Sequence, residues 1–151
     1  MKKLVVVVLL CCTVPGLSIA QQEGIGIGAQ IGDPTGVSIR IPHAESRSLN
    51  FTAAWTFRER SYLTLQADYV FYDYDIVKPE DLEGELPLYY GLGVHTEFEA
   101  ENQLGVRVPV GLAYLFAEVP LDLFFEIAPV VTLFPRTGFT FQGGLGIHYY
   151  F

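Results

Sequence analysis

Few residues in this chain have the types and spacing for chemistry. His95 and Glu97 stand two apart, so an extended strand places both on one face, and an imidazole beside a carboxylate is a starting point for general acid–base work. No serine lies near them in sequence to act as nucleophile, and no third group is placed to orient the ring, so the pair reads as hydrogen bonding. A metal held by all three histidines would need His43, His95 and His148 together, and strand alternation sets them at different heights. The acidic run Asp73, Asp75, Glu80, Asp81, Glu83 and Glu85 lacks the ligand spacing and glycine of an EF-hand loop, and reads as solvated charge. No catalytic residue, metal or cofactor is therefore assigned. What remains is a set of charges inside apolar stretches: Arg40, Asp68, Arg107, Asp122 and Glu126.

Those charges must be positioned by strands. Eight alternating pieces run Gly24–Ile31, Val37–Ile41, Leu49–Phe57, Ser61–Tyr72, Leu86–Phe98, Gln103–Phe116, Leu121–Leu133 and Gly138–Phe151. Each carries apolar side chains on one face and small or polar ones on the other, the period-two signature of a strand. In the last, Phe139, Phe141, Leu145, Ile147, Tyr149 and Phe151 oppose Thr140, Gln142, Gly144, Gly146, His148 and Tyr150. Gly32-Asp33-Pro34-Thr35-Gly36 is a tight turn, and most other connections are short. The exception is 73–85, acidic and without periodicity. Eight such strands predict an all-β, eight-stranded, antiparallel up-and-down barrel, a transmembrane β-barrel if its apolar faces point outward.

Alternation does not say which face is inside. Three observations favour apolar outward. The polar faces are rich in Gly, Ala and Thr with scattered charges, unlike a solvated surface dense in Lys and Glu. The apolar faces are nearly free of charge, as lipid contact requires, since a charge near the bilayer midplane costs about 2–4 kcal/mol. Aromatics gather near strand ends on those faces: Trp55, Phe57, Phe71, Tyr114, Phe116, Phe139, Tyr149 and Phe151, with Tyr62 out of phase, suit two interfacial girdles. An eight-stranded lumen is just filled by side chains, and buried charges must pair. A lumenal polar network around Arg107 is predicted, drawing on Arg40, Asp68, His95, Glu97, Asp122, Glu126 and Gln142, with Gln30 and Gln66 beside them. Pro109 and Pro129 fall inside strands, where bulges are expected to absorb them.

The two ends of the chain agree with this reading. Lys2 and Lys3 precede the apolar run Leu4–Leu10, and Ser18-Ile19-Ala20 offers small residues for cleavage, which predicts a signal peptide over 1–20 and a barrel over 21–151. Loss of that leader removes Cys11 and Cys12, hence any disulfide, and takes the formal charge from −8 to −10. Such an acidic chain is not a nucleic-acid binder. The chain ends on Gly146, Tyr149 and Phe151 in the pattern Gly-x-x-aromatic-x-aromatic.

These features resemble the small eight-stranded bacterial outer-membrane barrels, the class of the OmpA membrane domain and OmpX, and more closely an uncharacterised family of such barrels. The runs that carry the resemblance are Gly32–Gly36, Leu86–Gly93, Gly105–Leu112 and Leu121–Pro129. It implies an outer-membrane location, outer-membrane lipid as the surrounding partner, and Gly146, Tyr149 and Phe151 as the signal read by the barrel-assembly machinery. It implies no catalytic residues. A closed barrel needs no partner for its edges, so a monomer is expected. The function expected is a structural, envelope-supporting barrel with a plugged lumen. The alternatives are a narrow pore, a lipid-modifying enzyme built on His95, and a soluble lipocalin-like binder of apolar ligands. With both barrel ends periplasmic, the acidic 73–85 segment falls on the periplasmic side.

Overall fold

The computed structural model describes residues 24–57 and 61–151, without the side chains of 56 and 57. The expected leader over 1–20 lies outside the described residues. Nine strands are formed among them: β1 (Gly26–Asp33), β2 (Gly36–Ala44), β3 (Arg47–Phe57), β4 (Ser61–Asp73), β5 (Leu88–Phe98), β6 (Gln103–Arg107), β7 (Val110–Leu115), β8 (Leu121–Phe134) and β9 (Gly138–Tyr150). Every pairing is antiparallel, in the order β4-β3-β2-β1-β9-β8, then β6 and β7 together, then β5, which pairs back to β4. The sheet is thus a closed ring of eight staves, with the sixth made of two pieces. Closure leaves no ladder edge unpaired.

The break in the sixth stave is the work of proline, and it corrects the expectation of bulges. Arg107 pairs with Gly93 and Val130, and Val110 with Tyr90 and Ile127, so the register is the same on both sides of the gap. Pro109 still accepts from the Gly91 N–H (2.9 Å), and Pro129 still accepts from the Val108 N–H (3.1 Å). Each proline keeps its carbonyl in the ladder and omits only the reciprocal donor. A two-residue interruption in register costs less geometry than an inserted residue, which would flip every later side chain to the other face. Register shifts occur instead at Pro42/Ala44 and Leu104/Gly105.

Both chain ends of the barrel lie at one mouth, the terminal mouth, together with the connections 45–46, 74–87 and 116–120. Among the described residues, the distal mouth carries the short connections 34–35, 99–102 and 135–137. At the first of these, Gly32 adopts φ 141°, a region closed to other residues. The Gly32 N–H donates to Thr35 Oγ1 (3.0 Å), whose hydroxyl donates back to the Gly32 carbonyl (2.9 Å). The acidic segment is anchored at its end, where Glu85 and Leu115 exchange backbone hydrogen bonds of 3.0 and 2.8 Å.

The faces are assigned without ambiguity. Ile27, Phe51, Leu65, Leu92, Val106, Phe125 and Leu145 point out and remain well exposed, as do similar residues on every stave. Outward aromatics pair near the mouths: Tyr69 with Phe71 (5.1 Å between centroids), Tyr114 with Phe116 (4.7 Å) and Tyr149 with Phe151 (4.9 Å) at the terminal mouth, Phe139 with Phe141 (5.0 Å) at the distal one. Polar residues point in and are buried. The barrel is inside-out relative to a soluble domain.

Candidate functional site

The lumen is where the charged side chains of this sequence meet, and the barrel register decides which of them do. Bulky inward residues sit beside glycines on the neighbouring stave. Asp68 pairs with Gly93, Tyr89 with Gly111 and Phe124 with Gly146. A Cβ at Gly93 would overlap the Asp68 carboxylate, at Gly111 the Tyr89 ring and at Gly146 the Phe124 ring. The small residues of the polar faces are therefore the sockets into which the large ones fit, which is how a narrow barrel fills without voids.

One polar cluster centres on Arg107, whose side chain is 3% exposed. Its Nη1 donates to Asp68 Oδ2 (2.6 Å) and Gln66 Oε1 (2.9 Å), and its Nη2 donates to Glu126 Oε1 (2.5 Å). Gln66 passes the chain on, donating through Nε2 to Gln142 Oε1 (2.8 Å) and lying 3.2 Å from His95 Nδ1. His95 Nε2 lies 3.1 Å from Glu97 Oε1, toward the distal mouth. Six of the residues singled out from the sequence, Asp68, His95, Glu97, Arg107, Glu126 and Gln142, thus join in one hydrogen-bonded system.

Arg40 and Asp122 do not belong to it; the expectation of one network around Arg107 is corrected to two. Arg40 Nη1 donates to Asp122 Oδ2 (2.5 Å) and to Tyr150 Oη (3.2 Å), and the Tyr150 hydroxyl donates to the same carboxylate oxygen. The guanidinium lies against the rings of Tyr72 (5.3 Å), Phe124 (5.6 Å) and Tyr89 (5.8 Å). The two systems are separate because Arg40 enters from β2, across the lumen from β5 and β6, and its nearest carboxylate is at the foot of β8. Tyr89 joins them: its ring faces Arg40 and its hydroxyl donates to Glu126 Oε2 (2.9 Å).

Tyr89, Tyr150, Phe124 and Ser38 were not singled out from the sequence. Tyr89 and Tyr150 were legible as inward by alternation, but an aromatic on a polar face carries no signal of its partner. Phe124 was hidden because it is an apolar residue pointing inward, whereas alternation put Val70 on the polar face as the apolar exception of its strand. They pack with Tyr89, Ala113 and Leu115 in a small apolar cluster toward the terminal mouth.

Ser38, His148 and Asp122 have the connectivity of a hydrolase triad. Ser38 Oγ lies 2.9 Å from His148 Nε2, and His148 Nδ1 lies 3.0 Å from Asp122 Oδ1. The surroundings oppose catalysis. Ser38 is 4% exposed, the Phe124 ring stacks on His148 (4.8 Å, 14°), and Asp122 is shared with Arg40 and Tyr150. Backbone N–H groups around Ser38 belong to the ladders with β1 and β3, leaving no preformed oxyanion hole. His43 lies exposed at the terminal mouth, so the three histidines occupy three separate places, and no metal-ligand cluster is formed among the described residues. Of the C-terminal trio, Tyr149 and Phe151 point outward and Gly146 inward, on the stave that pairs with β1 from Gly26↔Tyr150 to Asp33↔Gly143.

At the terminal mouth a cavity of about 760 Å³ opens, with Arg40 and Tyr150 in its wall below and Glu45, Arg47, Tyr74, Glu83 and Glu85 around it. Tyr74 is a half-buried side chain of the acidic segment; burial, and then the Glu85 carboxylate, push its hydroxyl up to about 12.

No family profile matches this chain, and no curated protein does. Among solved structures, the N-terminal β-barrel domain of Pseudomonas aeruginosa OprF is similar over 84% of this chain and 95% of that one, with a TM-score of 0.58 and 13% identity. An identity this low speaks to architecture alone. The chain has the fold of that domain, an eight-staved antiparallel barrel, and in this chain the sixth stave is interrupted by proline.

Proposed function

We propose that this chain is an integral outer-membrane β-barrel whose lumen is closed by its own side chains and whose role is structural support of the envelope. The observation that carries the reading is the combination of an apolar surface on every stave with buried ion pairs inside. A soluble monomer does not present apolar side chains around its whole girth, because each exposed area would draw association. Lipid removes that penalty. The ion pairs fill the bore, and a barrel of eight staves leaves no room beside them for an open aqueous path. The partners of this reading are outer-membrane lipid and, during insertion, the barrel-assembly machinery; the closed ladder suits a monomer.

Fractionation with a heat-modifiability gel tests it. The chain is expected in the outer-membrane fraction, with the unboiled form resisting SDS and migrating apart from the boiled form. Recovery in a soluble periplasmic fraction with no such shift would overturn the proposal.

A catalytic role is not part of the reading. Ser38, 4% exposed and without an oxyanion hole, is expected to stay unlabelled by a fluorophosphonate probe under conditions that fully label a serine hydrolase. A stoichiometric adduct on Ser38, found by mass spectrometry of the folded barrel, would assign the enzyme reading instead.

A further inference from the structure

The hydrogen bonds around Gln66 run in a direction that one residue imposes on the others. Arginine carries donors and no acceptor. Arg107 Nη1 lies 2.9 Å from Gln66 Oε1, and only the oxygen of that amide can face it. The hydrogens on Gln66 Nε2 then face Gln142 Oε1 at 2.8 Å and His95 Nδ1 at 3.2 Å. Two hydrogens meet two acceptors, which requires a lone pair on His95 Nδ1. The ring proton therefore sits on Nε2, 3.1 Å from Glu97 Oε1. Arg107 thus sets the polarity of a chain, Arg107 to Gln66 to His95 to Glu97, carried by β6, β4 and β5.

A second proton on His95 has no place in this chain. It would set an Nδ1–H against the Gln66 N–H, donor against donor at 3.2 Å. Gln66 can relieve the conflict by turning its amide over, and Gln142 can follow by turning its own. Arg107 cannot follow, having no acceptor to offer, so its bond to Gln66 is lost. The turned amide has a partner waiting. Asp68 Oδ1 is buried without a hydrogen bond among the described residues, two positions from Gln66 on the inward face of β4, and Arg107 Nη1 already binds both side chains. The charged groups around the ring are Glu97 on its own strand, Asp68 on β4, Arg107 on β6 and Glu126 on β8. Its ladder partners, Gln66 and Gly105, and Gln142 of β9 are neutral, and His148 belongs to the Arg40 network. Glu97, with 19% of its side chain exposed against 5% for His95, is where the chain meets the distal mouth.

We propose that His95 and Gln66 form a proton-operated latch on the lumenal plug: neutral His95 lets Gln66 tie Arg107 to the distal mouth, and protonation of His95 turns the amide and releases the tie. The signal is acid reaching the distal mouth, the kind of cue that histidines serve in other pH sensors. Arg107 keeps Asp68 and Glu126, so the barrel stays folded while the distal half of the lumen loosens. The latch rests on the reading of a lumen filled by its own side chains, and its failure would leave the fractionation result untouched.

The test uses the full barrel refolded in detergent micelles, with nitrogen NMR signals of the imidazoles, glutamine amides and guanidinium groups followed from about pH 8 to about pH 5. At the alkaline end His95 is expected as the Nε2–H tautomer. On acidification the Gln66 amide and Arg107 Nη signals are expected to move with the same midpoint as the His95 ring, and the Gln66 amide hydrogens to exchange with water about tenfold faster or more. In His95→Gln the new amide oxygen can accept from Gln66 and does not titrate, so the Gln66 and Arg107 signals are expected to hold constant over the same range. The wild-type tautomer decides by itself: an Nδ1–H form, or a doubly protonated ring, at about pH 8 would overturn the proposal. So would Gln66 and Arg107 signals that do not follow the His95 ring, or a response that survives in His95→Gln and so belongs to Asp68, Glu97, Glu126 or His148.

Discussion

Replacing Arg107 with Ala is expected to lower the unfolding free energy of the refolded barrel by about 3–5 kcal/mol, because it strands two carboxylates in the lumen. Asp68 and Glu126 are 4% and 12% exposed, and their named cationic partner is Arg107. In the variant both carboxylates would either stay charged in a poorly solvated bore or take up protons, and either route costs free energy. Gln66 also loses its donor and with it part of the link to Gln142 and His95. The measurement is a urea or thermal unfolding midpoint in lipid vesicles, read by the shift between folded and unfolded bands on unboiled gels. The rescue is more telling than the loss. The triple variant Arg107→Met/Asp68→Asn/Glu126→Gln removes all three charges and keeps side-chain volume. It is expected to recover most of the lost stability, since a buried ion pair compared with a neutral packed replacement is often worth little. An unchanged midpoint in Arg107→Ala alone would show that the cluster does not hold the barrel together.

The second large effect lies on the other face. Leu145 sits near the middle of β9 and points outward at 55% exposure, flanked in the ladders by Ile31 and Phe125. Leu145→Arg is expected to cost about 2–4 kcal/mol in a bilayer, the penalty of a cation near the midplane. Phe139→Arg, on the same strand but at the distal mouth, is expected to cost about 0–1 kcal/mol. The difference between two equal changes of charge on one strand measures depth, and depth exists only if the outer face meets lipid. In a soluble barrel both substitutions would land on a solvated surface, and Arg at position 145 would be neutral or favourable. Equal midpoints for the two variants would contradict the membrane assignment.

The legible part of this protein was the part that depends on periodicity. Strand alternation placed Arg40, Asp68, His95, Glu97, Arg107, Asp122, Glu126 and Gln142 on inward faces, and all eight point into the lumen. Turn residues such as Gly32 and Pro34 marked where staves end. The barrel fold that the resemblance implied is present, and the N-terminal barrel domain of OprF is similar in shape. Phe124 defeated the pattern because an inward apolar residue looks like an error of phase until the neighbouring staves are in place, while Val70 was legible as an apolar exception on the inward face. The prolines misled for a related reason. A rule about strand edges predicts a bulge, whereas two prolines on adjacent staves, Pro109 and Pro129, share one interruption and keep the register.

Which inward charges meet was beyond the sequence. Two residues at neighbouring heights are partners only if their staves face each other across the bore, and that depends on how the sheet shears as it closes. Arg40 on β2 and Asp122 on β8 are 82 residues apart, and nothing local ties them. The same closure linked Ser38, His148 and Asp122 by hydrogen bonds and stacked Phe124 on the His148 ring. By itself the sequence determined the element type, the number of staves and the two-faced character of each, because those follow from the period of side chains along a single strand. The tertiary structure alone decided the division into an Arg107 and an Arg40 network, because it depends on distances across the barrel that no single strand contains.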